Sequence, residues 1–268
     1  MAISPRVFLA VALLSVAALA QSNPESVSQE ELSEVRKAAE QGDVSAQLIL
    51  GLRYHEGKGV LQDFAEAAKW YRKAAEQGTT YAQITLGDLY TQGMGVPKDF
   101  VEAVKWYRMA AERGVPRAQN NLGASYSAGL GVPQDYTEAL KWYRKAADQG
   151  DSNAQHNLGV AYVEGKGVPQ SYAEAARWYR IAANQGNFVA QFSLGLLYYE
   201  GKGVPQDYVQ AYMWVNLGTA PVTPGEQREM RAKVRDEIAA KMTPEQIAEA
   251  QRLAREWKPN PAIGVIQR

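Results

Sequence analysis

The stretch AQNNLGASYSAGLGVPQDYTEALKWYRKAADQG, residues 118–150, is followed by AQHNLGVAYVEGKGVPQSYAEAARWYRIAANQG, residues 154–186. Tryptophan, glycine and tyrosine fall at matching places in both, and the spacing continues in each direction. Trp70, Trp106, Trp142, Trp178 and Trp214 stand 36 residues apart. So do Gly51, Gly87, Gly123, Gly159 and Gly195, and likewise Tyr54, Tyr90, Tyr126, Tyr162 and Tyr198. Five copies fill residues 43–219. Such a period marks an architecture of stacked units, because one unit alone buries too little surface to be stable.

Each unit reads as two helices. Helix A of the first copy spans Val44 to Glu56 and is stopped by Gly57 and Gly59, which supply backbone angles that other residues avoid. Val-Pro follows in four copies, with Leu61 in place of proline in the first, and favours an extended connection. Helix B opens with Asp63-x-x-Glu66, Asp99-x-x-Glu102, Asp135-x-x-Glu138, Ser171-x-x-Glu174 and Asp207-x-x-Gln210, which predict reciprocal capping boxes. At 100° per residue, Ala67, Trp70, Tyr71, Ala74 and Ala75 share one arc of helix B, opposite Lys69, Arg72, Lys73 and Glu76. On helix A, Ala46, Gln47, Leu50, Gly51 and Tyr54 share another. Small residues beside large ones predict closely packed helix pairs, with the tryptophans buried.

The unit resembles the Sel1-like repeat, a relative of the tetratricopeptide repeat. That resemblance implies an all-α fold, a right-handed α-solenoid of stacked helix-turn-helix repeats with helical caps, that scaffolds protein–protein contacts and in bacteria is often secreted or periplasmic. Modified ends fit this picture. Lys37 to Gly42 matches Lys73 to Gly78, so residues 29–41 read as an orphan helix B. In the last helix B, Met213 stands where Lys69, Lys105, Lys141 and Arg177 stand in earlier copies, and Leu217 replaces Lys73 and Lys145, so a further element should cover them. Boxes at Thr223-Pro224-Gly225-Glu226 and Thr243-Pro244-Glu245-Gln246 predict helices over 225–241 and 244–257. Their apolar stripes are Met230, Val234 and Ile238 on one, and Ile247, Leu253 and Trp257 on the other. The expected order is an N-terminal linker and capping helix (21–42), five repeats (43–219), C-terminal capping helices (220–258) and a loose tail (259–268).

Before them, Val7 to Ala20 is apolar except for Ser15, too short for a bilayer span, and ends in Ala18-Leu19-Ala20. Residues 1–20 therefore read as a signal peptide cleaved near Ala20, which predicts a periplasmic or secreted protein with no stable membrane insertion after cleavage. No cysteine is present, so lipid attachment, disulfides and thiolate chemistry are excluded. Lys+Arg and Asp+Glu are both 29, with no excess pulling the chain towards nucleic acid or anionic lipid.

Apparent chemistry dissolves on inspection. Gly57-Lys58-Gly59, Gly165-Lys166-Gly167 and Gly201-Lys202-Gly203 lack the Ser/Thr and preceding strand of a phosphate loop. Lys69-Trp70-Tyr71-Arg72-Lys73 points its cations and aromatics in opposite directions, unlike a nucleic-acid surface. His55 and His156, the two histidines, lie three repeats apart, and no carboxylate pair stands out. The expectation is a non-enzymatic chain with no cofactor or metal.

What varies between copies is the other side of helix A. By resemblance to tetratricopeptide repeats this side lines a concave groove for a protein or peptide. Its candidate residues are Leu48, Leu52, His55, Ile84, Asp88, Asn120, Ser127, Asn153, His156, Val160, Phe192, Leu196 and Tyr199. The groove should be polar in the middle and aromatic near Phe192 and Tyr199; the alternative is that these residues pack between neighbouring A helices. Two other functions remain open. One is a cell-wall protein that binds or hydrolyses muropeptides or β-lactams, although that branch of the family carries a disulfide in each repeat. The other is a periplasmic regulator of a signalling protein.

Overall fold

The structure, a computed structural model, describes residues 29–260. The expected signal peptide and the tail beyond Asn260 lie outside the described residues. Among the described residues there are thirteen helices and no strand, which bears out an all-α solenoid of helical repeats. Two compact units divide the chain at Arg113 and Gly114.

The first unit contains α1 (Gln29–Glu40), α2 (Val44–Glu56), α3 (Phe64–Glu76), α4 (Thr80–Gln92) and α5 (Phe100–Glu112), each packed on the next. The second contains α6 (Pro116–Ala128), α7 (Tyr136–Asp148), α8 (Ser152–Glu164), α9 (Tyr172–Asn184), α10 (Phe188–Glu200) and α11 (Tyr208–Thr219). Two further helices, α12 (Glu226–Ala239) and α13 (Pro244–Glu256), both pack on α11. Within each copy an A helix is followed by a B helix. The turn between them is set by a left-handed glycine such as Gly57, with φ 71°, whose N–H donates to Arg53 at 2.8 Å.

Half of each predicted capping box forms. Asp63 accepts from the Glu66 amide, and Asp99, Asp135, Ser171 and Asp207 do the same in their copies. The return half is absent from these helices: Glu66, Glu102 and Glu138 turn instead to Lys69, Lys105 and Lys141 one turn ahead. The N-cap amide that the acidic residue would have capped is already spent: Asp63 N–H donates to the Tyr54 carbonyl at 2.9 Å, and Asp99, Asp135, Ser171 and Asp207 donate to Tyr90, Tyr126, Tyr162 and Tyr198 in the same way. Thr243 and Gln246 bond reciprocally at the start of α13. The box expected at Thr223 is not used, and α12 starts after Gly225 without a side-chain cap.

The packed arcs are explained by close approach. A Cβ on Gly159 would stand 2.4 Å from the Tyr179 ring, and Gly51, Gly87 and Gly123 leave the same notch for Tyr71, Tyr107 and Tyr143. Four tryptophans, Trp70, Trp106, Trp178 and Trp214, are buried as the pattern predicts, but Trp142 is only half-buried. Trp178 sits among Ala139, Tyr143, Ala146, Ala147, Ala154 and Leu158.

Successive copies are tied by buried amides. Gln47, Gln83, Gln155 and Gln191 of the A helices donate to Ala39, Ala75, Ala147 and Ala183 carbonyls near the end of the preceding helix. Each of those carbonyls also accepts the N–H of the glycine three residues on, so the glutamine takes its second lone pair and ties the two helices together. A second glutamine completes the tie: Gln77 donates to Gln47 at 2.9 Å and to the Gly42 carbonyl at 3.1 Å. Gln149 and Gln185 reach Gln119 and Gln155 in the same way. The second copy departs from this, because Arg113 occupies the Gln77 position and takes only the Gly78 carbonyl. The buried Oε1 of Gln83 is left without a partner among the described residues. Replacing Arg113 by glutamine should therefore restore both bonds and raise unfolding stability by about 1 kcal/mol, read from the urea midpoint. An unchanged or lower midpoint would show that Arg113 is worth as much as the amide.

Candidate partner-binding surfaces

The B-helix tyrosines that fill the glycine notches send their hydroxyls through to the variable side of the A helices. Tyr107 donates to Asp88 at 2.7 Å, Tyr143 bonds Ser127, and Tyr179 bonds Ser193 on the next A helix. Burial holds the Tyr71 and Tyr179 phenols well above their ordinary range and pushes Tyr143 up to about 12, so all three are neutral donors at neutral pH.

In the first unit, Leu48 and His55 are half-buried and Leu52 is 38% exposed. His55 meets Phe64 and Tyr71 edge-on, at 5.3 and 6.1 Å between ring centroids. Asp88 is half-buried against Tyr107. Ile84 corrects the sequence reading: it is buried at 5% exposure and offers no surface to a partner. It lies on an arc that A helices also use for packing, so its apolar side chain goes inward.

In the second unit, the polar candidates pair with their neighbours one copy away. Asn157 donates to Asn120 at 2.9 Å, and Asn187 donates to Asn153 at 3.0 Å. Ser127 and Val160 line one cavity of about 110 Å³ with Tyr143, Asn157, Glu164 and Lys166. His156 stacks on Tyr179 at 5.3 Å, with its Nε2 3.5 Å from the Ser193 hydroxyl. Burial holds this imidazole below the usual histidine range; the Arg231 charge adds to the shift, and a hydrogen bond with Asn157 opposes it. The fold thus favours neutral His156, while the unfolded chain takes up the proton near the ordinary 6.5. Stability must then fall as pH drops through that value. A His156→Asn variant should lose less stability than the parent between pH 7.5 and 5 in paired thermal melts. Parallel losses would remove His156 from the balance.

The aromatic end differs most from expectation. Leu196 is half-buried. Phe192 and Tyr199 do not stand free: both pack into a cluster with Ala211, Tyr212, Val215 and Ile238, to which Val234 also contributes. Helix α12 turns Val234 and Ile238 of its predicted stripe inward, but Met230 is 48% exposed and Arg231 is buried in its place. The Arg231 guanidinium lies 4.7 Å from the Phe192 ring and 5.6 Å from Phe188, and donates to the Gly218 carbonyl at 2.6 Å. Further along, Lys241 sits 4.7 Å from Tyr199 and 5.9 Å from Tyr208. Sequence reasoning missed Arg231 because a charged residue is ordinarily assigned to the solvent face. Met213 and Leu217 are covered on another side by Leu253 and Trp257 of the last helix and its end.

Among the described residues no helix is long and apolar enough to cross a membrane, and no group of three or more His, Asp or Glu side chains is placed to hold a metal ion. No curated protein matches the chain. Among solved structures, a Sel1 repeat protein from Oxalobacter formigenes is 32% identical, with 86% of this chain and 94% of that one covered and a TM-score of 0.69. A protective antigen of uropathogenic Escherichia coli with an SLR fold is 27% identical over 87% of this chain and 73% of its own, with a TM-score of 0.43. An immunity protein from Pseudomonas aeruginosa is 23% identical over 90% and 84%, also at 0.43. The Sel1 repeat family model matches residues 44–79, 80–115, 116–151, 152–187 and 189–217. With the 36-residue period, the helix pairs and these five matches in agreement, the chain belongs to the Sel1 repeat family.

Proposed function

We propose that this chain is an exported, non-enzymatic scaffold that binds a partner protein through the variable sides of its A helices. Sel1 repeat proteins are generally non-enzymatic scaffolds for protein interactions and are often extracellular or periplasmic. Support for export comes from the apolar run Val7 to Ala20 and its small-x-small end. The observation that carries the reading is the contrast within each copy. The Gly–Tyr notches and buried glutamines recur, whereas the opposite side of helix A changes from Leu52 to Asp88 to Val160. Repetition maintains the fold; variation on one side is what a surface shaped for a specific partner requires.

The test combines location with contact. Fractionation should place the protein outside the cytoplasm with a mature N-terminus near Gln21. A photocrosslinking side chain at Leu52 or Val160 should give one discrete adduct, while the same group at Lys69 or Lys141 on the charged B-helix side gives none. Adducts only from the lysine positions, or an intact N-terminus on a cytoplasmic protein, would overturn the proposal.

A further inference from the structure

The first and fifth copies carry related A-helix surfaces. Phe192, Leu196, Tyr199 and Tyr208 stand four periods after Leu48, Leu52, His55 and Phe64. In both copies the last two residues form a ring pair, at 6.1 Å for Tyr199–Tyr208 and 5.3 Å for His55–Phe64. In the fifth copy the structure supplies an occupant. Val234 and Ile238, one turn apart on α12, pack in the same cluster as Phe192 and Tyr199. Lys241, three residues on, places its ammonium over the Tyr199–Tyr208 pair.

In the first copy the corresponding surface is partly exposed among the described residues: Leu52 is 38% exposed and the neighbouring Tyr81 51%, while Leu48, His55 and Phe64 are half-buried. A second observation points to a missing polar partner. In copies two and three the notch tyrosine satisfies its hydroxyl on Asp88 or Ser127, which hold the positions of Leu52 and His55. Neither substitute serves Tyr71. Its hydroxyl, on a fully buried residue, and the buried Nδ1 of His55 both lack a hydrogen-bond partner among the described residues. Buried polar atoms left unmet are costly, and an incoming donor or acceptor relieves that cost.

We propose that Leu48, Leu52, His55 and Phe64 form the docking site for an amphipathic helix of a partner protein, built like α12. Two aliphatic side chains one turn apart would cover Leu48 and Leu52, and a lysine or arginine three residues further would reach the His55–Phe64 pair. There its charge meets aromatic faces, and a small shift of the half-buried His55 ring would let its unmet nitrogen accept from the incoming cation. The occupant is a partner helix and not the α12 of a second copy, because Arg231 anchors α12 to Gly218, Phe188 and Phe192 of its own chain. This inference rests on the scaffold reading and deepens it by naming the surface and the kind of helix.

A fluorescein-labelled synthetic peptide of residues 226–242 serves as the probe, titrated with the full chain and followed by anisotropy. The expected result is saturable binding with a Kd of about 10–100 μM, weakened at least about tenfold by Leu52→Asp in the protein and by Lys241→Ala in the peptide. Leu61→Asp, at a loop leucine 90% exposed, should leave binding unchanged. Circular dichroism confirms that each variant keeps its helices. No binding, or binding indifferent to Leu52→Asp, would overturn the proposal; the second result would mean that the probe exchanges with α12 on the fifth copy. A concentration-dependent dimer that Leu52→Asp dissolves would reassign the surface to self-association. Envelope crosslinks from Val160 would stand in any of these cases, so failure here is distinct from failure of the scaffold reading.

Discussion

Replacing Trp178 by alanine is expected to destabilise the protein by about 3–5 kcal/mol, the range for removing a large buried aromatic. The indole is 2% exposed, and its surroundings include Ala139, Ala146, Ala147 and Ala154, which are too short to collapse into the space it leaves. A residual cavity adds to the lost transfer energy, which places this site towards the upper part of the range. Its Nε1–H is buried without a partner among the described residues, so truncation forfeits no hydrogen bond and the loss is one of packing. The Arg144 guanidinium, 4.8 Å from the ring, loses a cation–π contact as well. Trp142→Ala is the internal control: its indole is only half-buried, and the loss should be clearly smaller. Denaturant melts of the two variants decide the matter. A loss under about 1 kcal/mol at Trp178, or equal losses at both sites, would mean that the tryptophan positions are not graded by burial.

Arg231→Ala should release α12 from the fifth copy, at an expected cost of about 2–4 kcal/mol. The guanidinium makes a charge-assisted bond to the Gly218 carbonyl, in the last turn of α11, where the helix dipole also favours a cation. It further covers the Phe188 and Phe192 rings, a contribution of up to about 2 kcal/mol for a desolvated cation–π contact. Truncation leaves that carbonyl unmet and those rings bare. Hydrogen exchange should report the effect locally: amides of residues 226–239 lose protection while those of α8 and α9 keep theirs. If protection over 226–239 is unchanged, Val234 and Ile238 alone hold the helix, and Arg231 is incidental. Arg231→Lys separates charge from shape, because a lysine ammonium cannot present a planar fork to the carbonyl and two rings together.

Much of the architecture was legible because it depends on spacing. The 36-residue recurrence of Trp178 and Gly159 and the 20-residue step from Gly159 to Tyr179 each express a local contact, the glycine–tyrosine one repeated in four copies and replaced by Gly195–Val215 in the fifth. The helix-B N-caps were legible for the same reason, since Asp63 and the Glu66 amide lie within one turn. The return half of the capping box was not, because the Asp63 N–H is taken by the Tyr54 carbonyl of the preceding helix, a contact the motif does not contain. The glutamine of each Ala-Gln pair was placed on the packed arc from periodicity, but its purpose as partner to the carbonyls of Ala39 or Ala183 emerges only when copies stack.

The candidate surface was legible as a side of helix A, not as a set of free residues. Its polar members, Asn120 and Asn153, turn out to be engaged by Asn157 and Asn187 one copy on. Phe192 and Tyr199, the most inviting aromatics in the sequence, carry α12, and Ile84 is buried.

Taken alone, the sequence determined the helix pairs, their period, their family and which arc of each helix is apolar, because these follow from residues a few positions apart and their repetition. The tertiary structure alone decided what covers each arc: that α12 presents Arg231 and leaves Met230 exposed, and that the fifth copy is occupied while Leu52 and Tyr81 in the first unit remain open. Side-chain periodicity specifies that a face is apolar, but the element that buries it is chosen by competition among distant segments, which no local pattern records.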